Sequence, residues 1–232
     1  MRLPMENLLA GGVAIAVAAL MLAVAFNLHG QPGIGNAVAM RIPPPAAMQA
    51  PAEAPARSET AVFAAGCFWG VQGVFQHVKG VQSAVSGYIG GSAATARYPL
   101  IGTGRTGHAE AVQVTYDPAR ISYGQLVRRF LRTIDPTDSG GQFCDRGPSY
   151  RTAIFALNPA QRREALAAVD EANRILRGRV VTPVRAAAPF YAVEAYHQDY
   201  ARRNPAAYNR YRVGCGKDAR LRQIWGAQAA TH

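Results

Sequence analysis

The chain has 232 residues, 49% of them hydrophobic and 17% charged, with a formal net charge of +11 carried by 23 Arg and two Lys. That length gives ample room for a core, as one large domain or two small ones, and the balance fits a globular protein with an apolar appendage. Three widely spaced cysteines (Cys67, Cys144, Cys215) with no C-x-x-C exclude a disulfide framework and an ordinary zinc site, and the odd count leaves at least one thiol for redox turnover.

Residues 8–26 form a run of 19 without a charge, long enough to cross a bilayer as a helix. The span exceeds a usual signal-peptide core, so residues 1–28 are expected to be a retained membrane anchor, although Ala23-Val24-Ala25 has the pattern of a cleavage site. The remainder would then face an extracytoplasmic (periplasmic) compartment, or be secreted if the segment is cleaved. Residues 29–58, rich in Pro and Ala, have too little apolar surface to fold and read as a tether.

From residue 59 onward one domain is expected, 59–232. Strands are predicted near 60–65, 81–89, 109–116 and 151–157, and helices near 67–78 and 122–133. Ser122 and Gln125 make a capping box, and Asp135-Pro136 stops that helix. A third helix starts at Asn158-Pro159 and stops by Gly178. The βαββαβ order is the split βαβ, ferredoxin-like arrangement. The class is therefore α+β, with an additional C-terminal helix and a mixed, loop-rich tail beyond Phe190. The most basic stretch, from Arg202 to Arg222 with Tyr208 and Tyr211 interleaved, has the composition of a phosphate-binding, base-stacking surface. Scattered arginines elsewhere make a solvated basic face the preferred reading, with no nucleic-acid partner.

Gly66-Cys67-Phe68-Trp69-Gly70 puts a lone cysteine at a strand-to-helix junction. Unpaired N–H groups at a helix start favour negative charge and should lower the thiol pKa, and Phe68 and Trp69 can wall an apolar pocket beside the sulfur. On the third strand Glu110 shares the face of Val112, Val114 and Tyr116. Burial there would raise its pKa and keep a proton to donate; pairing with an arginine at the strand edge is the other reading.

The pentapeptide resembles the signature of the A-type peptide methionine sulfoxide reductases, in which the cysteine attacks the sulfoxide sulfur. Gly107-His108-Ala109-Glu110-Ala111-Val112 resembles their second signature, whose Glu protonates or hydrogen-bonds the sulfoxide oxygen. Gly87-Tyr88-Ile89-Gly90-Gly91 with Tyr98, and Asp145-Arg146-Gly147-Pro148-Ser149-Tyr150-Arg151-Thr152, resemble the segments supplying two active-site tyrosines and an Asp. Phe190-Tyr191 and Tyr196-His197-Gln198-Asp199-Tyr200 resemble a further block, so the matches run in family order from about residue 60 to 205.

The resemblance implies Cys67 as nucleophile, Glu110 as acid, Tyr98 and Tyr150 as donors to the oxygen, and Phe68 and Trp69 as walls of the methyl pocket. Asp145 would orient substrate or the tyrosines, and His108 and His197 would be structural. It implies a Cys sulfenic acid, then a disulfide reduced by a thioredoxin-like donor, with no metal or organic cofactor. The substrate would be the S epimer of methionine sulfoxide, protein-bound or free, and the protein a monomer that repairs oxidised proteins.

The chain departs from the family pattern at Cys144, where Asn is common, at Phe143, where Gly is usual, and at Ser149, where Gln is usual. The family's resolving cysteine lies in a mobile tail, which points to Cys215 between Gly214 and Gly216, with Cys144 as second choice and a static Cys144–Cys215 disulfide as the alternative. Competing classes are an acyl-transfer hydrolase pairing Cys67 with His108 or His197, and a membrane-tethered binding module.

Overall fold

Alternation along residues 59–65 sends Ala61, Phe63 and Ala65 to one face of a sheet and Val62 and Ala64 to the other, and both faces are buried. The computed structural model describes residues 58–230; the segment expected at 1–28, and all of 29–58 except Ser58, lie outside the described residues.

In chain order the elements are β1 (Glu59–Ala65), α1 (Phe68–Gln76), β2 (Val81–Ile89), α2 (Tyr98–Ile101), β3 (Ala109–Tyr116), α3 (Tyr123–Leu131), β4 (Gly141–Gln142) and β5 (Asp145–Arg146). They continue with β6 (Thr152–Ala156), α4 (Pro159–Ile175), β7 (Val184–Ala186), β8 (Phe190–Ala192), α5 (Tyr200–Arg203), α6 (Pro205–Gly214) and α7 (Lys217–Trp225).

Six strands form one sheet in the order β7-β6-β1-β3-β2-β8, and β4 pairs with β5 apart from it. Every neighbouring pair in the large sheet is antiparallel except β6 with β7. The four strands expected from sequence thus lie as β6-β1-β3-β2, compatible with a split βαβ arrangement, and the α+β class holds. The short strands β7 and β8 extend its two edges.

The helical layer packs on the Phe63 face. Phe63 stacks on Phe75 of α1 at 5.3 Å and on Phe130 of α3 at 4.7 Å between ring centroids, contacts of about 0.5–1.5 kcal/mol each beyond area burial. The capping box is present: Gln125 N–H donates to Ser122 Oγ at 3.2 Å, and Ser122 N–H to Gln125 Oε1 at 2.8 Å. Asn158 caps α4 by accepting from Gln161 N–H at 2.8 Å.

Beyond Phe190 the chain is more helical than its sequence suggests, because α5, α6 and α7 carry no continuous apolar stripe. In α7 Leu221 and Trp225, four residues apart, are buried in the core with Ile224 packed against its margin, and Trp225 Nε1–H donates to the Ile134 carbonyl at 3.2 Å. No helix among the described residues is long and apolar enough to cross a membrane.

Candidate active site

The turn from β1 into α1 depends on Gly66. Its φ of +71° lies in the left-handed region, and a Cβ there would sit 2.5 Å from Cβ of Gln142. Gln142 cannot yield easily: it is buried, accepts from Asp135 N–H at 2.8 Å and donates to the Asp135 carbonyl at 2.8 Å. Cys67 follows as the N-cap residue of α1 and is a free thiol, at the position the sequence implied.

Glu110 lies across from it on β3, facing the helices and 3% exposed. Its Oε2 accepts the first helical N–H of α1, from Phe68, at 3.1 Å. Of the two readings left open by the sequence, burial wins, since no arginine forms an ion pair with Glu110 among the described residues. Burial pushes its pKa up to about 8, with the Asp145 charge adding and the Phe68 N–H opposing. At neutral pH this carboxyl holds its proton.

The thiol differs from the sequence expectation. A helix start should lower its pKa, yet burial, followed by the Glu110 and Asp145 charges, pushes it well up. The hydrogen bonds from the Tyr211 hydroxyl and the Trp69 backbone N–H only partly offset this. Burial, with the Asp145 charge and that of Glu110 once it ionises, outweighs the helix terminus, whose first N–H is already given to Glu110.

An aromatic wall stands beside the thiol. Phe68 is fully buried, and Trp69 stacks on Tyr200 at 3.9 Å while its Nε1–H donates to His197 Nδ1 at 3.2 Å. His197 also lies 4.0 Å from the Tyr98 ring and 5.7 Å from the Phe68 ring, and its buried Nε2 has no hydrogen-bond partner among the described residues. His108 is occupied at both nitrogens, accepting from Gly91 N–H at 3.2 Å and contacting the Ser92 carbonyl at 3.0 Å. No hydrogen bond joins either histidine to Cys67 among the described residues, which removes the geometry the acyl-transfer reading needs.

Tyr98 opens α2, its N–H donating to Glu194 Oε1 at 3.0 Å, and Glu194 Oε2 accepts from the Tyr88 hydroxyl at 3.1 Å. Tyr150 closes the 3-10 turn Pro148–Tyr150. Burial first, then the Glu110 charge, raises the pKa of both tyrosines, so both hydroxyls stay protonated and able to donate. Both also feel the charges of Cys67 and Asp145, which brings Cys67, Glu110, Tyr98, Tyr150 and Asp145 into one electrostatic neighbourhood.

Several residues of this site were not singled out from sequence. Tyr211 of α6 donates a short hydrogen bond to Asp145 Oδ2 and also reaches the Cys67 sulfur. Lys217 of α7 is buried with its Nζ 5.2 Å from the Phe143 ring centroid. Phe143 itself keeps a left-handed backbone, φ +56°, uncommon for a residue other than Gly. Only the fold reveals these groups, since α6 and α7 lie about 150 residues after Cys67 in the chain.

The same geometry accounts for much of the basic stretch: Arg212 pairs with Asp218, Arg220 with Asp135 at 2.8 Å and Arg202 with Asp199 at 3.0 Å. Cys144 and Cys215 are joined by a disulfide, with Cα atoms 5.1 Å apart across 71 residues of sequence. Cys215 is therefore not on a loose tail; it caps α6, and Gly216 at φ +62° begins α7. Among the described residues no group of three His, Cys, Asp or Glu side chains is arranged to hold a metal ion.

Residues 59–229 match the family model described as peptide methionine sulfoxide reductase. A peptide methionine sulfoxide reductase MsrA 2 of Caulobacter vibrioides is 51% identical over 178 residues, covering 76% of this chain and 90% of the relative. The MsrA of Bacillus subtilis is 42% identical over 174 residues, covering 74% of this chain and 98% of the relative. Among solved structures, reduced Mxr1 from Saccharomyces cerevisiae aligns with a TM-score of 0.62 at 30% identity, covering 66% of this chain and 89% of that one. Methionine sulfoxide reductase A of Corynebacterium diphtheriae aligns with a TM-score of 0.61 at 32% identity, covering 65% and 77%. With a protonated carboxyl beside a free thiol and most of the catalytic relatives' length matched, the chain belongs to the peptide methionine sulfoxide reductase family, enzymes that reduce methionine sulfoxide to methionine.

Proposed function

We propose that Cys67 is the nucleophile and Glu110 the proton donor in reduction of the S epimer of methionine sulfoxide. The observation that carries this reading is the pairing of a free thiol with a carboxyl that keeps its proton to about pH 8, both fixed to the first turn of α1. The Cys67 thiolate attacks the sulfoxide sulfur while Glu110 passes its proton to the oxygen, helped by the Tyr98 and Tyr150 hydroxyls. The S–O bond of the substrate breaks, methionine leaves, and Cys67 carries the oxygen as a sulfenic acid: the substrate sulfur gains two electrons and Cys67 loses two. Phe68 and Trp69 receive the methyl group, and Asp145 holds Tyr211 over the sulfur.

A second thiol then condenses with the sulfenic acid, releasing water and forming a disulfide. Cys144, adjacent to Asp145, and Cys215, bonded to it, are the candidates. A free Cys67 beside a closed Cys144–Cys215 pair is the arrangement in which such an exchange would end. A thioredoxin-like dithiol would reopen that pair, and oxidised proteins or peptides would be the substrates of a monomeric enzyme. The uncharged run at 8–26 supports a membrane-anchored enzyme with an extracytoplasmic catalytic domain; a C-terminal reporter active only in the cytoplasm would overturn that part.

The first test supplies the full chain with a chemical dithiol and the separated S and R epimers of a methionine sulfoxide peptide. Reduction of the S epimer alone, abolished by Cys67→Ser, is expected. Reduction of neither epimer by folded protein would overturn the assignment. For the resolving step, prereduced protein given one equivalent of sulfoxide should end with Cys144–Cys215 closed and Cys67 free by peptide mapping. A Cys67 sulfenic acid persisting while both other thiols stay reduced would assign the pair a purely structural part.

A further inference from the structure

Lys217 is one of two lysines in a chain with 23 arginines, and it is 7% exposed. It forms no ion pair with a carboxylate among the described residues, while Arg212, equally buried, is matched by Asp218. Its ammonium is located from two sides. Nζ lies over the Phe143 ring at 5.2 Å, and a Cβ built on Gly70 would come within 2.8 Å of it. Gly70 follows Cys67 by three residues, the spacing that puts two positions on one face of a helix. The ammonium therefore lies against the face of α1 whose first turn presents the thiol.

A buried cation without a carboxylate partner is costly. The site contains a transient anion short of countercharge: Asp145 beside Cys67 acts against a thiolate, as does Glu110 whenever it is ionised, and the Tyr211 hydroxyl and Trp69 N–H that favour the thiolate are neutral. We infer that Lys217 supplies the counter-charge of the Cys67 thiolate, so that the C-terminal helix α7, and not the β1–α1 junction alone, makes this sulfur nucleophilic. Lys217 is thus a residue acting on the reacting atom, brought there from the far end of the chain two residues after the Cys144–Cys215 disulfide.

The charged groups facing Lys217 are Cys67 at the start of α1, Asp145 on β5, Arg212 on α6 and Asp218 on α7. Arg212 and Asp218 largely cancel each other, which leaves Asp145 and the thiolate to hold the ammonium. Burial lowers the Lys217 pKa to about 8 while the Cys67 and Asp145 charges oppose that loss. The countercharge is therefore present at neutral pH and lost above about pH 8.

The inference rests on Cys67 being the nucleophile, and its test needs no sulfoxide. The full-length protein, with Cys144–Cys215 closed, is alkylated with iodoacetamide, an uncharged probe, and the Cys67 peptide adduct is timed by mass spectrometry from pH 6 to 10. In Lys217→Met the rate at pH 7 should fall at least tenfold, and the wild-type break near pH 8 should vanish from the profile. Lys217→Arg, which keeps the charge, should stay within about threefold of wild type. An unchanged rate in Lys217→Met would overturn the inference. So would an equal loss in both variants, because that would assign the residue to packing. If wild-type protein alkylates in this Lys217-dependent manner yet reduces no sulfoxide, the proposed reaction fails while the countercharge stands.

Discussion

Glu110 shows how one buried side chain ties chemistry to stability. Its folded pKa of about 8 lies above the ordinary value of 4.5, so the folded state binds the proton more tightly than the unfolded chain. The resulting contribution to stability is complete below pH 4.5, is lost as pH rises to about 8, and amounts to about 5 kcal/mol. Urea unfolding of Glu110→Gln should therefore show a flatter loss of stability than wild type over that interval. The same substitution should lower kcat/KM by about 10²–10⁴, because an amide can hydrogen-bond the oxygen but cannot release a proton to it. A parallel slope in both proteins would mean that Glu110 is ionised in the folded state. Tyr211→Phe removes the hydroxyl shared by Asp145 and Cys67, and should slow Cys67 alkylation and kcat/KM together by about tenfold. Equal alkylation rates would show that the hydroxyl serves Asp145 alone.

Among the elements, the β1–α1 junction has little tolerance. Gly66→Ala combines a left-handed backbone with a Cβ 2.5 Å from the pinned Gln142 side chain, and should cost about 1–3 kcal/mol from backbone strain alone. Thermal unfolding should report that loss, and sulfoxide reduction should fall with it because Cys67 is the next residue. Ser122→Ala is the contrasting case: losing the cap of α3 should cost about 1 kcal/mol in urea unfolding while leaving kcat/KM unchanged. These two elements were legible from sequence for local reasons, a capping box and a short apolar strand running into a cysteine flanked by glycines. The helices α6 and α7 were not, since their apolar residues are interrupted by charged ones and their few buried side chains meet partners distant in the chain. Gly214 and Gly216 around Cys215 suggested a mobile segment; in the fold Gly214 ends one helix and Gly216 starts the next.

Across the whole molecule, the Cys144–Cys215 disulfide closes a loop of 71 residues and joins the region around Asp145 to the helices that carry Tyr211 and Lys217. Replacing both cysteines by serine should lower stability to urea by about 2–4 kcal/mol at neutral pH. A double variant as stable as wild type would show that packing of Leu221 and Trp225 alone holds the tail. By itself the sequence determined the α+β class, the order of the main strands and helices, and the identities of Cys67 and Glu110 as candidates. Those features depend on periodicity, caps and short motifs, which act over a few residues. Only the tertiary structure decided the charge state of the site and the role of the tail. Burial and through-space fields set whether a thiol or carboxyl keeps its proton, and such fields arise from groups that the chain brings together across about 150 residues.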